Sequence, residues 1–314
     1  MEGGVRLKRI ASEADFETLQ SCPACLSPDI SFFRKKTFDV FKLDKSQIKI
    51  TDSQYGKIWD LSRCSACGHI FANPCPSSEL IFLLYSQIED PLYEEEASGR
   101  AKNFQRLISH LETFLPDKGR LFDVGAATGI LLHLARRRGW EVDGIEASTW
   151  AVRLASEKYQ IRLHQGFFEE VRLENNFFSA VTLVDFIEHT PLPFAALRKA
   201  HEILKPAGIL CLVTPDIHSL AARLAGKNWW HFRPAHLAYF SPQSLAALFK
   251  RAGFSVIQVR RYSWTFSVHY LLSRKKIFHS LLQKPSFSSF LKKIPIKLAL
   301  GDSFEVYARK EVRA

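Results

Sequence analysis

Between residues 101 and 115, apolar side chains fall at Phe104, Leu107, Ile108, Leu111, Phe114 and Leu115. That three- and four-residue spacing predicts one helical face, ending before Pro116. A shorter helical stretch, Ser77 to Gln87, carries Leu80, Ile81, Leu83 and Leu84, and the acidic segment Asp90–Arg100 reads as a turn. From Arg120 onward the pattern changes to short apolar runs alternating with amphipathic ones. Strands are expected at Arg120–Val124, Glu141–Ile145, Ile161–His164, Ala180–Asp185, Ile209–Thr214, Phe254–Tyr262 and Ser303–Arg309. Helices are expected at Gly129–Arg138, Ser148–Tyr159, Phe194–Leu204 and Ser241–Ala252. Strands alternating with helices predict an α/β fold whose mostly parallel sheet is covered on both faces.

Ahead of this region the pattern is different. Residues 1–20 are polar and read as loose, and residues 21–76 hold two cysteine pairs around a β-rich middle. The expected organisation is a flexible start (1–20), a small module (21–76), a helical linker or cap (77–116), a core (117–262), an insertion (263–300) and a final strand (301–314). Apolar residues make up 46% and charged residues 24% of the 314, enough to bury a core. No apolar run reaches the ~20 residues of a membrane-spanning helix. The opening residues lack a secretory pattern, so a cytoplasmic location is expected.

The first strand runs into Leu121-Phe-Asp-Val-Gly125-Ala-Ala-Thr-Gly129. Small residues there let the backbone approach a ligand, and the following helix offers free N–H groups. The next strand ends at Glu146, 21 residues beyond Gly125, where a carboxylate can accept both hydroxyls of a ribose. The spacing is G-x-x-x-G, not the G-x-G-x-x-G of a dinucleotide site. Asp123, just ahead of the turn, would repel a pyrophosphate but suits the amino group of a methionine moiety. These features favour S-adenosylmethionine over NAD.

Leu121–Gly129 resembles the first motif of class I S-adenosylmethionine-dependent methyltransferases, with Glu146 as the ribose-binding acid. Leu183-Val-Asp185-Phe-Ile-Glu188-His189 is similar to the strand-four motif of the branch that includes ubiquinone-pathway methyltransferases. Trp229-Trp-His-Phe-Arg-Pro-Ala-His236 resembles bacterial small-molecule and sugar methyltransferases. The resemblance implies a Rossmann-like doubly wound sheet of seven strands, the last antiparallel. It implies a cofactor site at Asp123, Gly125, Ala126, Gly129, Glu146, Phe167, Phe168 and Asp185. Two departures stand out. Ala127 replaces the usual middle glycine, and Phe167 replaces the acid that takes the adenine amino group.

Methyl transfer aligns a nucleophile with a sulfonium and, where needed, removes its proton. His189 and His236 are the candidate bases. In the sugar C-methyltransferases the second motif is commonly Glu-His-Leu; here the glutamate is Ala235, which makes an oxygen acceptor at least as fitting as carbon. Trp229, Trp230 and Arg233 either contact a sugar or phosphate or anchor their loop on the core.

Cys22-x-x-Cys25 and Cys64-x-x-Cys67 have the spacing of two zinc knuckles, and four thiolates close a structural Zn2+ site. The arrangement resembles the N-terminal zinc domain of bacterial deoxysugar C-methyltransferases, where a tyrosine-bearing segment follows, as Tyr85 and Tyr93 do here. Cys75 reads as a loop residue and Cys211 as a buried strand residue. The fold expected is therefore α/β with a zinc-ribbon-like module in front.

The net charge of +11 is concentrated at the C-terminal end: residues 250–314 hold 14 Lys/Arg against 3 Asp/Glu. Residues 263–300 combine amphipathic patterning with lysines, which fits an anionic membrane surface and lipid-linked glycan, nucleic acid, or a helical cap with solvated lysines. The leading expectation is methyl transfer to a small-molecule acceptor such as a sugar, nucleotide-sugar or glycan-pathway intermediate. An RNA methyltransferase and a non-catalytic scaffold remain as alternatives. The sequence leaves the oligomeric state open.

Overall fold

A computed structural model describes residues 11–311 except Asp52 and Lys275; of the stretch read as loose, residues 1–10 lie outside the described residues. The N-terminal part holds short strands β1 (Phe16–Glu17), β2 (Ile30–Arg34), β3 (Leu61–Cys64), β4 (Ile70–Ala72) and β5 (Cys75–Pro76). Cys75 is thus paired with Glu17 in a strand, not in a loop as expected. Three helices follow: α1 (Ser78–Ser86), α2 (Pro91–Glu95) and α3 (Ala97–Phe114). The segment expected as a turn at 90–100 is helical instead. Asp90 accepts the Tyr93 N–H and Pro91 occupies the first helical position, a capped start that the acidic composition concealed.

The core continues through β6 (Arg120–Val124), α4 (Ile130–Arg137), β7 (Glu141–Glu146), α5 (Thr149–Tyr159), β8 (His164–Gln165), β9 (Phe178–Val184), α6 (Pro193–Ile203) and β10 (Leu204–Pro215). After α7 (Leu220–Ala225) and β11 (Ala238–Tyr239) come α8 (Pro242–Ala252) and β12 (Phe254–Ser267). Short helices α9 (Val268–Ser273), α10 (His279–Leu282) and α11 (Pro285–Lys292) lead to β13 (Pro295–Lys310). The seven-stranded sheet has the order β12-β13-β10-β9-β6-β7-β8, and β13 alone runs antiparallel to both neighbours. This is the expected doubly wound architecture.

Strand residues alternate between the two faces. Leu121, Ala180, Ile209, Cys211 and Val213 pack on α3 and α4. Phe122, Val124, Val181, Leu183, Leu210 and Leu212 pack on α6 and α8, and Cys22, Ala24, Cys64 and Cys67 join that same core. The cysteine-bearing part is therefore fused to one face of the sheet.

Two boundaries depart from expectation. β12 and β13 stay paired out to Ser267 and Pro295, so the segment expected as a 263–300 insertion contributes strand at both ends. Glu96 explains the extension: its carboxylate accepts the backbone N–H (2.6 Å) and hydroxyl (2.5 Å) of Ser267. The second departure is β11. It pairs with β4 to complete the sheet β11-β4-β3-β2, so a loop of the core supplies a strand to the N-terminal module.

Candidate active site and thiol cluster

The turn after β6 bends through left-handed backbone at Gly125 (φ +69°), Ala127 (φ +46°) and Gly129 (φ +79°). Gly129 fits because a Cβ there would lie 3.2 Å from Ala155. Ala127 adopts the same hand at a steric cost. Its N–H donates to Glu146 Oε2 at 2.8 Å, while Ser148 N–H donates to Oε1 at 2.8 Å. The two bonds fix the Glu146 carboxylate at the end of β7 and leave lone pairs on both oxygens. Burial raises its pKa, against the backbone donors that lower it.

A cavity opens beside this turn, with about 1000 Å³ of empty space that includes the open solvent at its mouth. Gly125, Ala127, Glu146, Phe167, Phe168, Asp185 and His189 all line it. Phe168 packs on Phe122 with ring centroids 5.8 Å apart, and Phe167 meets Phe82 at 4.5 Å. Asp123, Ala126, Gly129 and His236 lie behind the wall. Asp123 is 4% exposed and accepts the Thr182 hydroxyl at 2.6 Å. Burial pushes its carboxyl up to about 7, with the Glu146 charge adding to the shift against Thr182. Asp185 sits in left-handed backbone (φ +50°) just past β9. Burial raises it to about 7 as well, opposed by Arg100 and Arg233.

His189 Nδ1 lies 2.8 Å from the Ala235 carbonyl and 2.8 Å from the Tyr85 hydroxyl. A carbonyl only accepts, so the proton belongs on Nδ1 and Nε2 keeps its lone pair. Burial first, then Arg233, lowers this histidine to about 3. His236 is buried with its ring 4.7 Å from His189, perpendicular to it, and 5.7 Å from His231, stacked. Burial and the neighbouring His189 hold it well below the ordinary histidine range. Both are neutral near pH 7. Ligand atoms of Glu188, His189 and His236 lie within 4.8 Å of one another. Glu188 is raised well above a normal carboxylate, chiefly by burial, and accepts the Thr214 hydroxyl at 3.0 Å.

The loop bearing His236 is held by the N-terminal module. Trp59 Nε1 donates to the Pro234 carbonyl at 2.8 Å, and Ala72 N–H to the Leu237 carbonyl at 2.7 Å. Trp229 is fully buried, and Arg233 donates to the carbonyls of Lys49 and Ile50. Of the two readings for Trp229 and Arg233, these contacts match the anchor.

Several lining residues had no distinctive sequence signal: Ile50, Ile81, Phe82, Ile88, Trp150 and Glu169. The first four come from the N-terminal half, whose apolar pattern is indistinguishable from ordinary core. Glu169 follows the two phenylalanines that displaced the expected acid. Burial raises its pKa, and the Thr190 hydroxyl donates to it at 3.4 Å.

Away from the cavity, Cys22 and Cys67 Sγ lie 3.7 Å apart and Cys25 and Cys64 Sγ 3.6 Å. All four sulfurs fall within 4.8 Å of each other. Tetrahedral coordination at ~2.3 Å gives sulfur–sulfur edges of about 3.8 Å, so the donor set is compatible with one zinc ion. The knuckles are built alike: Leu26 N–H returns to the Cys22 carbonyl at 2.9 Å, and Gly68 N–H to Cys64 at 3.0 Å. Arg251 of α8 donates to the Pro23 carbonyl at 2.8 Å, setting a cation beside the thiols.

Residues 94–259 match the model of a methyltransferase domain. A ubiquinone biosynthesis O-methyltransferase of Xanthomonas axonopodis pv. citri (strain 306) is 30% identical over 161 residues, 46% of this chain and 66% of that protein. One from Xanthomonas campestris pv. campestris (strain B100) is 30% identical over 150 residues, 42% and 61% respectively. The chain thus spans less than two thirds of these relatives' length. Among solved structures, a possible histamine N-methyltransferase of Thermotoga maritima aligns with 69% of this chain and 91% of its own at 21% identity and a TM-score of 0.47. With its family domain covering more than half of its length, the chain belongs to the class I S-adenosylmethionine-dependent methyltransferases.

Proposed function

We propose that this chain transfers a methyl group from S-adenosylmethionine to an oxygen of a small-molecule acceptor, in the class of sugars, nucleotide sugars or glycan-pathway intermediates, free or lipid-linked. The observation that carries the reading is Glu146, fastened to the glycine turn by the Ala127 N–H and held at its other oxygen by the Ser148 N–H, and lining a cavity with Gly125 and Asp185. The relatives named for ubiquinone biosynthesis support oxygen as the acceptor atom.

The residues present fit the cofactor. The Thr128 hydroxyl is buried without a partner among the described residues and lines the cavity, a polar group left for a ligand. Glu146 would take the ribose hydroxyls, and Asp185 and the turn N–H groups the methionine end, with Asp123 adding negative charge from behind the turn. Glu169 would accept the adenine amino group where Phe167 leaves no carboxylate. Bound S-adenosylmethionine supplies an electrophilic methyl on a cationic sulfonium. Asp185, ionised, contributes negative potential beside that charge.

His189 presents Nε2 to the acceptor hydroxyl, its tautomer held by Ala235. With its conjugate acid so acidic, it orients that hydroxyl and passes the proton, released as the O–CH3 bond forms and the S–CH3 bond breaks, on to solvent. His236 acts behind it, holding the ring by edge-to-face packing. The cysteine cluster would hold a structural Zn2+, with no open position for chemistry.

The experiment is methyl transfer from methyl-labelled cofactor to a panel of sugar, nucleotide-sugar and lipid-linked acceptors, using zinc-replete protein and His189→Asn. Label appearing in an acceptor hydroxyl, reduced at least about 100-fold in the variant, is expected. Full turnover in His189→Asn would remove the histidine from the mechanism.

A further inference from the structure

We propose that the cap formed by α9–α11 and the start of β13 is a docking surface for an anionic lipid bilayer. The proposal deepens the reading above, because it would present the site to acceptors carried on lipid. Residues 255–301 contain nine Lys/Arg and no Asp/Glu. Some of these charges are used internally. Arg260 pairs with Glu305, Arg261 with Asp216 and Lys292 with Glu95, and Arg274 donates to the Thr51 carbonyl and the Tyr55 hydroxyl. Lys284, Lys293 and Lys297 are exposed and have no acidic partner among the described residues.

Interleaved with them are apolar side chains that the fold leaves in water. Ile277 is 82% exposed, Phe290 60% and Leu300 50%, with Leu281, Phe287 and Ile296 each more than a third exposed. Scattered single apolar residues on a surface are ordinary, but six within one acid-free stretch of 24 residues are not. Free lysines beside exposed phenylalanine, isoleucine and leucine match an interface whose headgroups are negative and whose interior is hydrocarbon. A nucleic acid would satisfy the lysines and leave the aliphatic groups in water. A second copy would bring two like-charged faces together.

The cap also stands at the right end of the molecule. β12 runs in the same direction as β10, both antiparallel to β13, so Ser267 and α9 emerge at the carboxyl edge of the sheet, where the cavity lies. Arg274 reaches the Thr51 carbonyl, and Thr51 bonds Asp90, which lines the cavity beside Ile50. A membrane-bound cap would thus touch the rim of the mouth.

The test is co-sedimentation of the full chain with vesicles of phosphatidylcholine alone and of phosphatidylcholine with phosphatidylglycerol, at low and high salt. Binding only to the anionic vesicles, weakened by salt, is expected. Lys293→Glu with Lys297→Glu should weaken it about tenfold or more, and Phe290→Ser should weaken it several-fold at unchanged charge. Cofactor binding, measured on the same variants, should not change, which separates this proposal from the methyltransferase reading: either can fail while the other stands. Equal partitioning to neutral vesicles, no partitioning, or indifference to both sets of substitutions would overturn the proposal. So would preferential binding of RNA that depends on the lysines and not on Phe290.

Discussion

Asp123 and Asp185 are two buried carboxyls raised to about 7 at the place where a cationic ligand is proposed to bind. Below pH 7 they are mostly neutral; above it they carry the charge that attracts a sulfonium. A cation stabilises the ionised form, so its binding must release protons and tighten as pH rises through 7. Calorimetry between pH 6 and 8 should show affinity for S-adenosylmethionine rising up to about tenfold per group. The product S-adenosylhomocysteine keeps the ammonium but has lost the sulfonium charge, so it should gain less; equal gains for both would contradict a role for these carboxylates toward the sulfonium. Ala127 offers a second residue-scale check. Its left-handed backbone (φ +46°) costs an alanine about 1 kcal/mol relative to glycine. Ala127→Gly should raise the melting temperature by a few degrees and tighten cofactor binding; a lower melting temperature would show that the alanine methyl is a needed contact.

At the scale of elements, the alternation of strands and helices, the glycine turn and the acid of β7 were legible because each rests on local rules: periodicity, small residues, and a carboxylate at a strand end. The four cysteines were legible from spacing alone. What the sequence concealed was contact between distant segments. Nothing in Ala238-Tyr239 announces a strand, because a two-residue edge is set by its partner β4 and not by its own propensity. The same holds for Ile50, Phe82 and Ile88, which close the cavity from the N-terminal half. Asp90–Arg100 was misread as a turn because acidic composition outweighed the Asp-Pro start of α2. The shared sheet makes a prediction of its own. Trp59→Phe keeps the packing but removes the donor to Pro234, at a cost of about 1 kcal/mol. It should lower turnover through the His236 loop while cofactor affinity stays within about twofold. Unchanged turnover would mean that the loop is held adequately without that bond.

For the molecule as a whole, the N-terminal module and the methyltransferase core are joined by β11, by Arg251 and by a common core that includes Cys22 and Cys64. Chelation of the proposed zinc, or Cys64→Ser, should therefore destabilise the entire chain rather than release a separate domain. Calorimetric melting is expected to remain a single transition at lower temperature; a surviving core transition with unaltered cofactor binding would show independent units. The central claim, that this cavity is a working S-adenosylmethionine site, is tested most directly by titrating the cofactor into zinc-replete protein and into Glu146→Ala. Binding in the micromolar range, weakened at least about 100-fold in the variant, is the predicted result. No heat at millimolar cofactor, or equal binding by both proteins, would contradict it and would withdraw the roles given to Glu146, Asp185 and His189.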